Sequence, residues 1–219
     1  MKILVISPHP DDETLGAGGT IARAKKEGHE VYWLNVTGIS EEDGYEKNDI
    51  QEKCHQMENV NKILGFDGRL DLKLPTTKLD LIPCGKGIGY VGDYINRVKP
   101  DVILMADYND AHSDHRFVFE WLHASTKVFR YPFIKYVLTM EILSETNFGL
   151  PTNPFVPNVY VDITDYFETK LQVMSIYKNE VGEHPFPRSV ESIKALACLR
   201  GAEAGVKYAE GFRLVKAII

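Results

Sequence analysis

The sequence predicts an α/β fold organised around a mostly parallel sheet. Short apolar runs, typical of strands buried on both faces, recur along the chain, and segments with helical periodicity separate them. Strands that alternate with helices form parallel βαβ units with right-handed crossovers. A chain of 219 residues suits one sizeable domain, since two halves would each be small. We therefore predict a single domain over residues 1–219.

The first half of the chain shows the clearest alternation. Residues 3–6 are continuously apolar, and residues 14–28 have helical spacing that ends at Gly28, a residue type favoured just after helices. A polar loop over residues 37–44 follows the second strand. The elements predicted in this half are strands over residues 3–6, 30–36 and 101–105, and helices over residues 14–28, 47–64, 87–98 and 117–128.

The second half of the chain has weaker patterns. The segment 148–157 contains three prolines, and we expect a loop there and not a domain boundary. The elements predicted in this half are strands over residues 136–139 and 159–163, helices over residues 166–178 and 189–199, and a strand or extended tail over residues 212–218.

The composition argues against a nucleic-acid partner and against a membrane span. The net charge is −6 and no block of Lys or Arg stands out, whereas nucleic-acid binding requires a basic face. No stretch approaches the roughly 20 apolar residues of a membrane helix. The apolar run at residues 3–6 is too short for a signal peptide. We therefore expect a cytoplasmic protein.

The three cysteines give no cross-linking pattern. Cys54, Cys84 and Cys198 are far apart and form no Cys-x-x-Cys pair. An odd number at such spacing argues against a disulfide framework and against a structural zinc site. We expect three buried free thiols.

A histidine and three consecutive acids follow the first predicted strand, in the order His9, Asp11, Asp12 and Glu13. Ligands of open α/β sheets collect at the carboxyl ends of the strands. Like charges this close together are costly unless a cation is present, which indicates a bound divalent metal. The alternative is that the acids only favour the N-terminus of the next helix, while His9 fills a turn.

Three glycines follow the acids, at positions 16, 18 and 19. They lack the G-x-G-x-x-G spacing of a dinucleotide-binding loop and lie inside the predicted helix instead of before it. An acidic segment beside them would also repel a pyrophosphate. We expect these glycines to let the helix pack closely on the sheet.

A second polar cluster follows the strand predicted at residues 101–105 and contains His112, Asp114 and His115. Taken alone, it fits a helix start that Asp114 caps, with both histidines solvated. Two clusters at strand ends of one sheet favour a shared site, because those ends open into the same crevice. Two histidines and one acid supply three metal ligands and leave one position open, as in catalytic zinc sites, while a further acid is free to accept a proton.

These motifs resemble the PIG-L/LmbE-like de-N-acetylase family. The resemblance covers almost the whole chain, through residues 8–20, 112–115, 155–163, 188–189, 200–201 and 208–212. It implies a Rossmann-like fold, a three-layer sandwich around a mostly parallel central sheet. It also implies a zinc-dependent hydrolase that removes the N-acetyl group from an N-acetylglucosamine-type amino sugar or its conjugate.

The same resemblance implies roles that the spacing alone leaves open, above all the division between Asp11 and Asp12. The implied zinc ligands are His9, Asp12 and His115. Asp11 becomes the base, and His112 the oxyanion stabiliser or acid, with Asp114 supporting it. A mixed shell of His and carboxylate ligands also suits other divalent ions.

The chain departs from the family pattern where many members contact the sugar. Residues 47–53 contain no arginine, and residues 177–180 replace a Ser-Gln pair with Tyr-Lys-Asn-Glu. Arg188, Arg200 and Glu210 are the candidate substrate contacts in their place, and a structural ion pair is the alternative for either arginine.

Two other functions and one assembly state also fit the sequence. One function is a metal hydrolase of the same fold that acts on another amide or ester. The other is a non-catalytic sugar- or nucleotide-binding module, which would have no use for a spare carboxylate beside the metal ligands. A homo-oligomer is also compatible with the sequence.

Overall fold

The apolar runs of the sequence form one seven-stranded sheet in the computed structural model, which describes all residues from 1 to 219. The strands are β1 (Lys2–Ser7), β2 (Glu30–Gly38), β3 (Gly68–Pro75), β4 (Val102–Met105), β5 (Tyr136–Met140), β6 (Val159–Asp162) and β7 (Ala209–Ala217). Their order is β3-β2-β1-β4-β5-β7-β6; β7 runs antiparallel to both of its neighbours, and all other neighbouring pairs are parallel. The predicted α/β fold with a mostly parallel sheet is confirmed.

Helices cover both faces of this sheet. They are α1 (Asp12–Lys26), α2 (Lys47–Leu64), α3 (Cys84–Val98), α4 (Ser113–Ala124), α5 (Phe167–Met174) and α6 (Val190–Ala204). In β1, Ile3 and Val5 join the core cluster shared with α1, α2, α5 and α6, while Leu4 and Ile6 join the cluster shared with α3 and α4. Alternate side chains of a strand point to opposite faces, so β1 is buried from both sides in a three-layer arrangement.

Strand β3 is the element that the sequence prediction missed. Its leucines at positions 70, 72 and 74 alternate with Arg69, Asp71 and Lys73, so it has no continuous apolar run. It pairs with β2 alone at the edge of the sheet, and seven of its eight residues are half-buried. A strand with one apolar face is enough at that position, because Leu70, Leu72 and Leu74 all pack against the core cluster on one side of the sheet.

Helix α4 starts at Ser113, four residues before the predicted start. The side chain of His112 caps it, since Nδ1 accepts a hydrogen bond from the Asp114 backbone N–H at 3.1 Å. This cap binds one of the N–H groups that the first turn of a helix leaves free. The helix therefore begins inside the polar cluster.

The prediction of buried thiols is wrong, because Cys54, Cys84 and Cys198 are all exposed. Cys54 illustrates the reason. The buried face of α2 is formed by Gln56, Met57, Val60 and Leu64, and Cys54 lies outside that stripe. All three cysteines are nevertheless free, as expected.

The glycines of α1 let this helix approach the sheet closely, as predicted. A Cβ atom at Gly16 would lie 2.7 Å from Cβ of Met140, and one at Gly19 would lie 2.7 Å from Cβ of Ile163. Real Cβ atoms do not approach other atoms to that distance. The close packing fixes the first turn of α1 above the carboxyl end of β1.

The sheet order places both polar clusters at one crevice. β1 pairs in parallel with β2 on one side and with β4 on the other, and the helices that follow β1 and β4 lie on opposite faces. This is a topological switch point, where α/β folds bind their ligands. None of the helices is long and apolar enough to span a membrane.

Candidate active site

The loops after β1 and β4 meet at the switch point and bring three histidine rings together. The ring centroids of His9 and His115 are 5.3 Å apart, and those of His9 and His112 are 4.4 Å apart. His115 is fully buried, while His9 and His112 line an open cleft. Residues 106 positions apart in the chain therefore share one site.

The backbone of Asp11 has a φ of 138°, a conformation that residues other than glycine rarely adopt. Such strain costs on the order of 1–3 kcal/mol and persists where surrounding contacts enforce it. Here the Asp11 N–H donates to Oε2 of Glu13 at 3.1 Å, and the Asp11 carbonyl accepts from the N–H groups of Thr14 and Leu15. The turn points the carboxylates of Asp11 and Asp12 at different partners.

Asp12 faces one nitrogen from each of two histidines. Its Oδ2 lies 3.2 Å from Nε2 of His115 and 3.5 Å from Nδ1 of His9. Ligand atoms about 2.0–2.1 Å from a tetrahedral zinc ion are roughly 3.3 Å apart, so these spacings fit a shared ion. Nε2 of His115 is also buried without a hydrogen-bond partner. The residues present therefore suit a divalent metal.

The other nitrogen of each of these rings contacts a buried carboxylate. Oδ2 of Asp114 lies 3.0 Å from Nε2 of His9, and Oδ2 of Asp110 lies 2.8 Å from Nδ1 of His115. Carboxylates placed in this way fix the tautomer and orientation of metal-binding imidazoles. The arrangement leaves one nitrogen of each ring directed at Asp12.

The charges in this cluster shift the acidity of its members. Burial alone would raise the pKa of Asp12, but the nearby charge of His115 holds it below its ordinary value. Burial, followed by the Asp12 charge, raises the pKa of Asp11 well above the usual range, although Arg188 opposes this. Burial and the neighbouring imidazoles lower the pKa of His112 to about 4.

Arg188 connects Asp11 to the wall of the cleft. Its Nη1 lies 3.2 Å from Oδ2 of Asp11, and its Nη2 lies 3.2 Å from Oε2 of Glu180. Glu180 in turn accepts from Lys53 of α2 at 3.0 Å. A chain of alternating charges thus runs from α2 to the turn after β1.

The cleft has a volume of about 530 Å³, and most of the residues that line it are polar or charged. Its lining includes His9, Asp11, Asp12, Tyr45, Asp49, Glu52, Lys53, Gln56, Thr76, His112, Glu145, Glu180 and Arg188. A space of this size lies within the range of small-molecule sites.

The structure does not bring Arg200 and Glu210 to this cleft. Arg200 pairs with Glu141 at 2.7 Å, which is the structural alternative considered for it. Glu210 is buried against α1, where it accepts from Lys170 at 2.6 Å and from two backbone N–H groups. Of the three candidate substrate contacts, Arg188 alone lines the cleft.

Sequence reasoning missed several residues that shape the site. Asp110 belongs to the second cluster, but its spacing does not distinguish it from Asp107 as the partner of His115. Glu145 lies outside both polar clusters of the sequence, so no spacing pattern indicates it. It nevertheless lines the cleft and accepts a hydrogen bond from the His112 N–H at 3.1 Å. Glu180 could have been noticed only as part of the departure at residues 177–180.

The fold and this residue set define an α/β enzyme with a His and Asp cluster able to hold a metal at its switch point. The profile of the PIG-L family, described as GlcNAc-PI de-N-acetylase, matches residues 4–125. The chain belongs to this family, and its members are metal-dependent deacetylases, that is, amidohydrolases.

Known proteins agree with this placement. The chain is 28% identical to diacetylchitobiose deacetylase of Thermococcus kodakarensis, over 99% of this chain and 84% of that protein. It is 31% identical to the uncharacterized deacetylase YaiS of Escherichia coli, over 81% and 90% of the two chains. The crystal structure of the conserved protein TT1542 from Thermus thermophilus superposes with a TM-score of 0.77 at 26% identity, covering 99% and 96%.

Proposed function

We propose that this protein is a zinc-dependent deacetylase that removes the N-acetyl group from an N-acetylglucosamine-type sugar or its conjugate. One observation carries the proposal. Asp12 faces a free nitrogen of His9 and of His115, while a separate carboxylate, Asp11, lines the same cleft. A binding module has no need of that second acid. The likeness to diacetylchitobiose deacetylase supports the choice of an acetylated amino sugar.

His9, Asp12 and His115 would hold the ion. Two nitrogens and one carboxylate oxygen, with one position left open, form a common catalytic zinc set, although other divalent ions suit it too. When bound, zinc supplies Lewis acidity, which polarises the amide carbonyl and lowers the pKa of water at that position.

Asp11 serves as the base in this proposal. It is not committed to the ligand cluster, and Arg188 fixes one of its carboxylate oxygens. Asp11 removes a proton from the attacking water. The carboxyl formed in this way then passes that proton to the leaving nitrogen as the C–N bond breaks. The products are a free amine and acetate.

His112 serves as the oxyanion stabiliser. Its Nδ1 accepts the Asp114 N–H, so the proton of the neutral ring is on Nε2. With a pKa of about 4, the ring is neutral near pH 7 and donates a hydrogen bond without giving up a proton. Of the two roles expected from the resemblance, this tautomer favours stabilisation of the developing negative charge. Asp114 supports His9 through the side chain and His112 through the helix cap.

The substitution Asp11→Asn tests these assignments. We expect kcat to fall by roughly 10²-fold or more with zinc still bound, since a base is lost and no ligand is removed. Acetate release is measured with N-acetylglucosamine, diacetylchitobiose, short N-acetyl amines and acetate esters as substrates. The zinc content of the same protein samples is measured alongside. Parental turnover by Asp11→Asn would refute the mechanism. Turnover of the short N-acyl amines or esters, without turnover of the sugars, would favour the alternative of a metal hydrolase that acts on another amide or ester.

Two further expectations stay predictions, namely the single domain over residues 1–219 and cytoplasmic residence. A homo-oligomer stays one of the assembly states that the sequence allows.

A further inference from the structure

Glu13 is buried beside the proposed base without touching the cleft. Its side chain is fully buried and does not line the cavity that holds His9, Asp11 and Asp12. It lies in the first turn of α1, directly after the proposed ligand Asp12. Neither the ligand set nor the proton transfers described above use this carboxylate.

Three donors converge on the Glu13 carboxylate. Oε1 accepts from the hydroxyl of Thr14 at 2.6 Å and from the hydroxyl of Tyr177 at 2.9 Å, while Oε2 accepts from the backbone N–H of Asp11 at 3.1 Å. Tyr177 is also fully buried and follows α5, so it anchors the carboxylate from a distant part of the chain. The two hydroxyl contacts leave the side chain little freedom to move.

The third contact is the one that matters for the base. Asp11 has φ of 138°, and its N–H has Glu13 as its hydrogen-bond partner. Without that acceptor, a buried N–H would be unpaired, and the turn would relax towards an ordinary φ. Such a relaxation would move the Asp11 carboxylate from its 3.2 Å contact with Arg188.

From this geometry we propose that Glu13, locked by Tyr177, is a positioning residue that holds the strained turn at Asp11 and thereby aims the proposed base. The inference rests on the proposed function, because it concerns the placement of Asp11 as a base. A misplacement of about 1 Å can cost on the order of 10²-fold in rate. The effect belongs in kcat, since Glu13 does not line the cleft and its hydrogen-bond partners include no side chain of a proposed metal ligand.

A matched pair of double variants tests the proposal. Glu13→Leu/Tyr177→Phe removes the acceptor for the Asp11 N–H together with the hydroxyl that would otherwise be stranded. Glu13→Gln/Tyr177→Phe also removes the negative charge and the hydroxyl, but its amide oxygen can still accept from Asp11. The two variants therefore differ in the presence of that acceptor.

We expect kcat of the leucine variant to fall by about 10²-fold, with KM and zinc content within about threefold of the parent. The glutamine variant should lose less than about tenfold. If both variants keep parental kcat, or if the leucine variant loses zinc in proportion to its activity, the positioning role is wrong. Circular dichroism and thermal melting establish that each variant is folded.

Should the leucine variant not fold, Glu13→Asp replaces it, since the shorter side chain keeps the charge and withdraws the acceptor by one methylene group. It must show the same loss of kcat with zinc retained, and parental kcat would overturn the proposal. Asp11→Asn distinguishes a failure of the proposed function from a failure of the positioning role of Glu13. A parent that deacetylates no substrate refutes the proposed function and this inference together. An inactive Asp11→Asn beside a fully active Glu13→Leu/Tyr177→Phe refutes this inference alone.

Discussion

Asp110 offers a direct test of the proposed metal centre, because it touches a proposed ligand and nothing in the cleft. Its Oδ2 lies 2.8 Å from Nδ1 of His115, and both side chains are buried. Asp110→Asn keeps an oxygen that can accept from this ring but removes the charge. Asp110→Ala removes both the charge and the acceptor.

The expected loss follows from this contact. Replacing a carboxylate that orients a metal-binding histidine typically weakens metal affinity by about 10–100-fold, which corresponds to roughly 1.4–2.7 kcal/mol. We expect Asp110→Asn near the lower limit, because the ring keeps its hydrogen bond. Asp110→Ala should lie near the upper limit, because the ring is then free to rotate.

Chelator competition measures the zinc dissociation constant of each variant, and acetate release measures kcat at saturating zinc. Asp107→Asn is the matched control, since Asp107 is buried in the same loop but contacts Thr139 and Arg213 and no histidine. Its zinc affinity should stay within about threefold of the parent. If Asp110→Ala binds zinc as tightly as the parent does, His115 is not a ligand or does not depend on Asp110, and the reasoning fails.

Three further outcomes are expected. His112→Asn should lower kcat by roughly 10²–10³-fold without loss of zinc or of thermal stability, because asparagine still caps α4 but no longer presents an imidazole donor. Glu210→Ala should destabilise the protein by about 3–5 kcal/mol, because it strands the buried charge of Lys170, whereas loss of the exposed Glu203 should cost at most about 1 kcal/mol. The melting temperature should then fall by roughly 6–20 °C for Glu210→Ala and by only a few degrees for loss of Glu203. A chelator should abolish acetate release, and added zinc should restore it. If elemental analysis of the purified protein found no stoichiometric metal, the result would instead support a non-catalytic sugar- or nucleotide-binding module.

The sequence predicted the location of the site through the strand ends. The apolar runs of β1 and β4 identified two buried strands, and each is followed by a polar cluster. Because the carboxyl ends of parallel strands lie at the same edge of a sheet, the two clusters had to be near each other if the two strands were neighbours. The pairing of Ile3 with Val102 shows that they are adjacent.

The division of labour within the clusters was not predictable from spacing. Asp11 and Asp12 are chemically identical neighbours, and what separates them is the φ of 138° at Asp11. That angle depends on Glu13 and, through it, on Tyr177, which is 164 positions further along the chain. Local patterns contain no information about such a contact, so the resemblance to a family was needed to assign the two acids.

The candidate substrate contacts show the same limit. Arg200 and Glu210 belong to a recognisable C-terminal pattern, yet their partners, Glu141 and Lys170, come from other elements. An arginine forms a structural ion pair when the fold brings an acid outside the cleft within about 4 Å of it. Otherwise its side chain is free to line the cleft. Arg188 is the exception, since it pairs with Asp11 and lines the cleft as well.

The three consecutive acids also explain how a buried cluster of negative charge is tolerated. Asp11, Asp12 and Glu13 are each at least 97% buried, and unpaired carboxylates in such a place would be protonated or would disrupt the fold. Each has a separate set of partners: an arginine for Asp11, two histidines for Asp12 and two hydroxyls for Glu13. Because these partners come from four different parts of the chain, the acids cannot exchange roles without rebuilding the site. The division of roles among the three acids is therefore set by contacts from several elements of the fold.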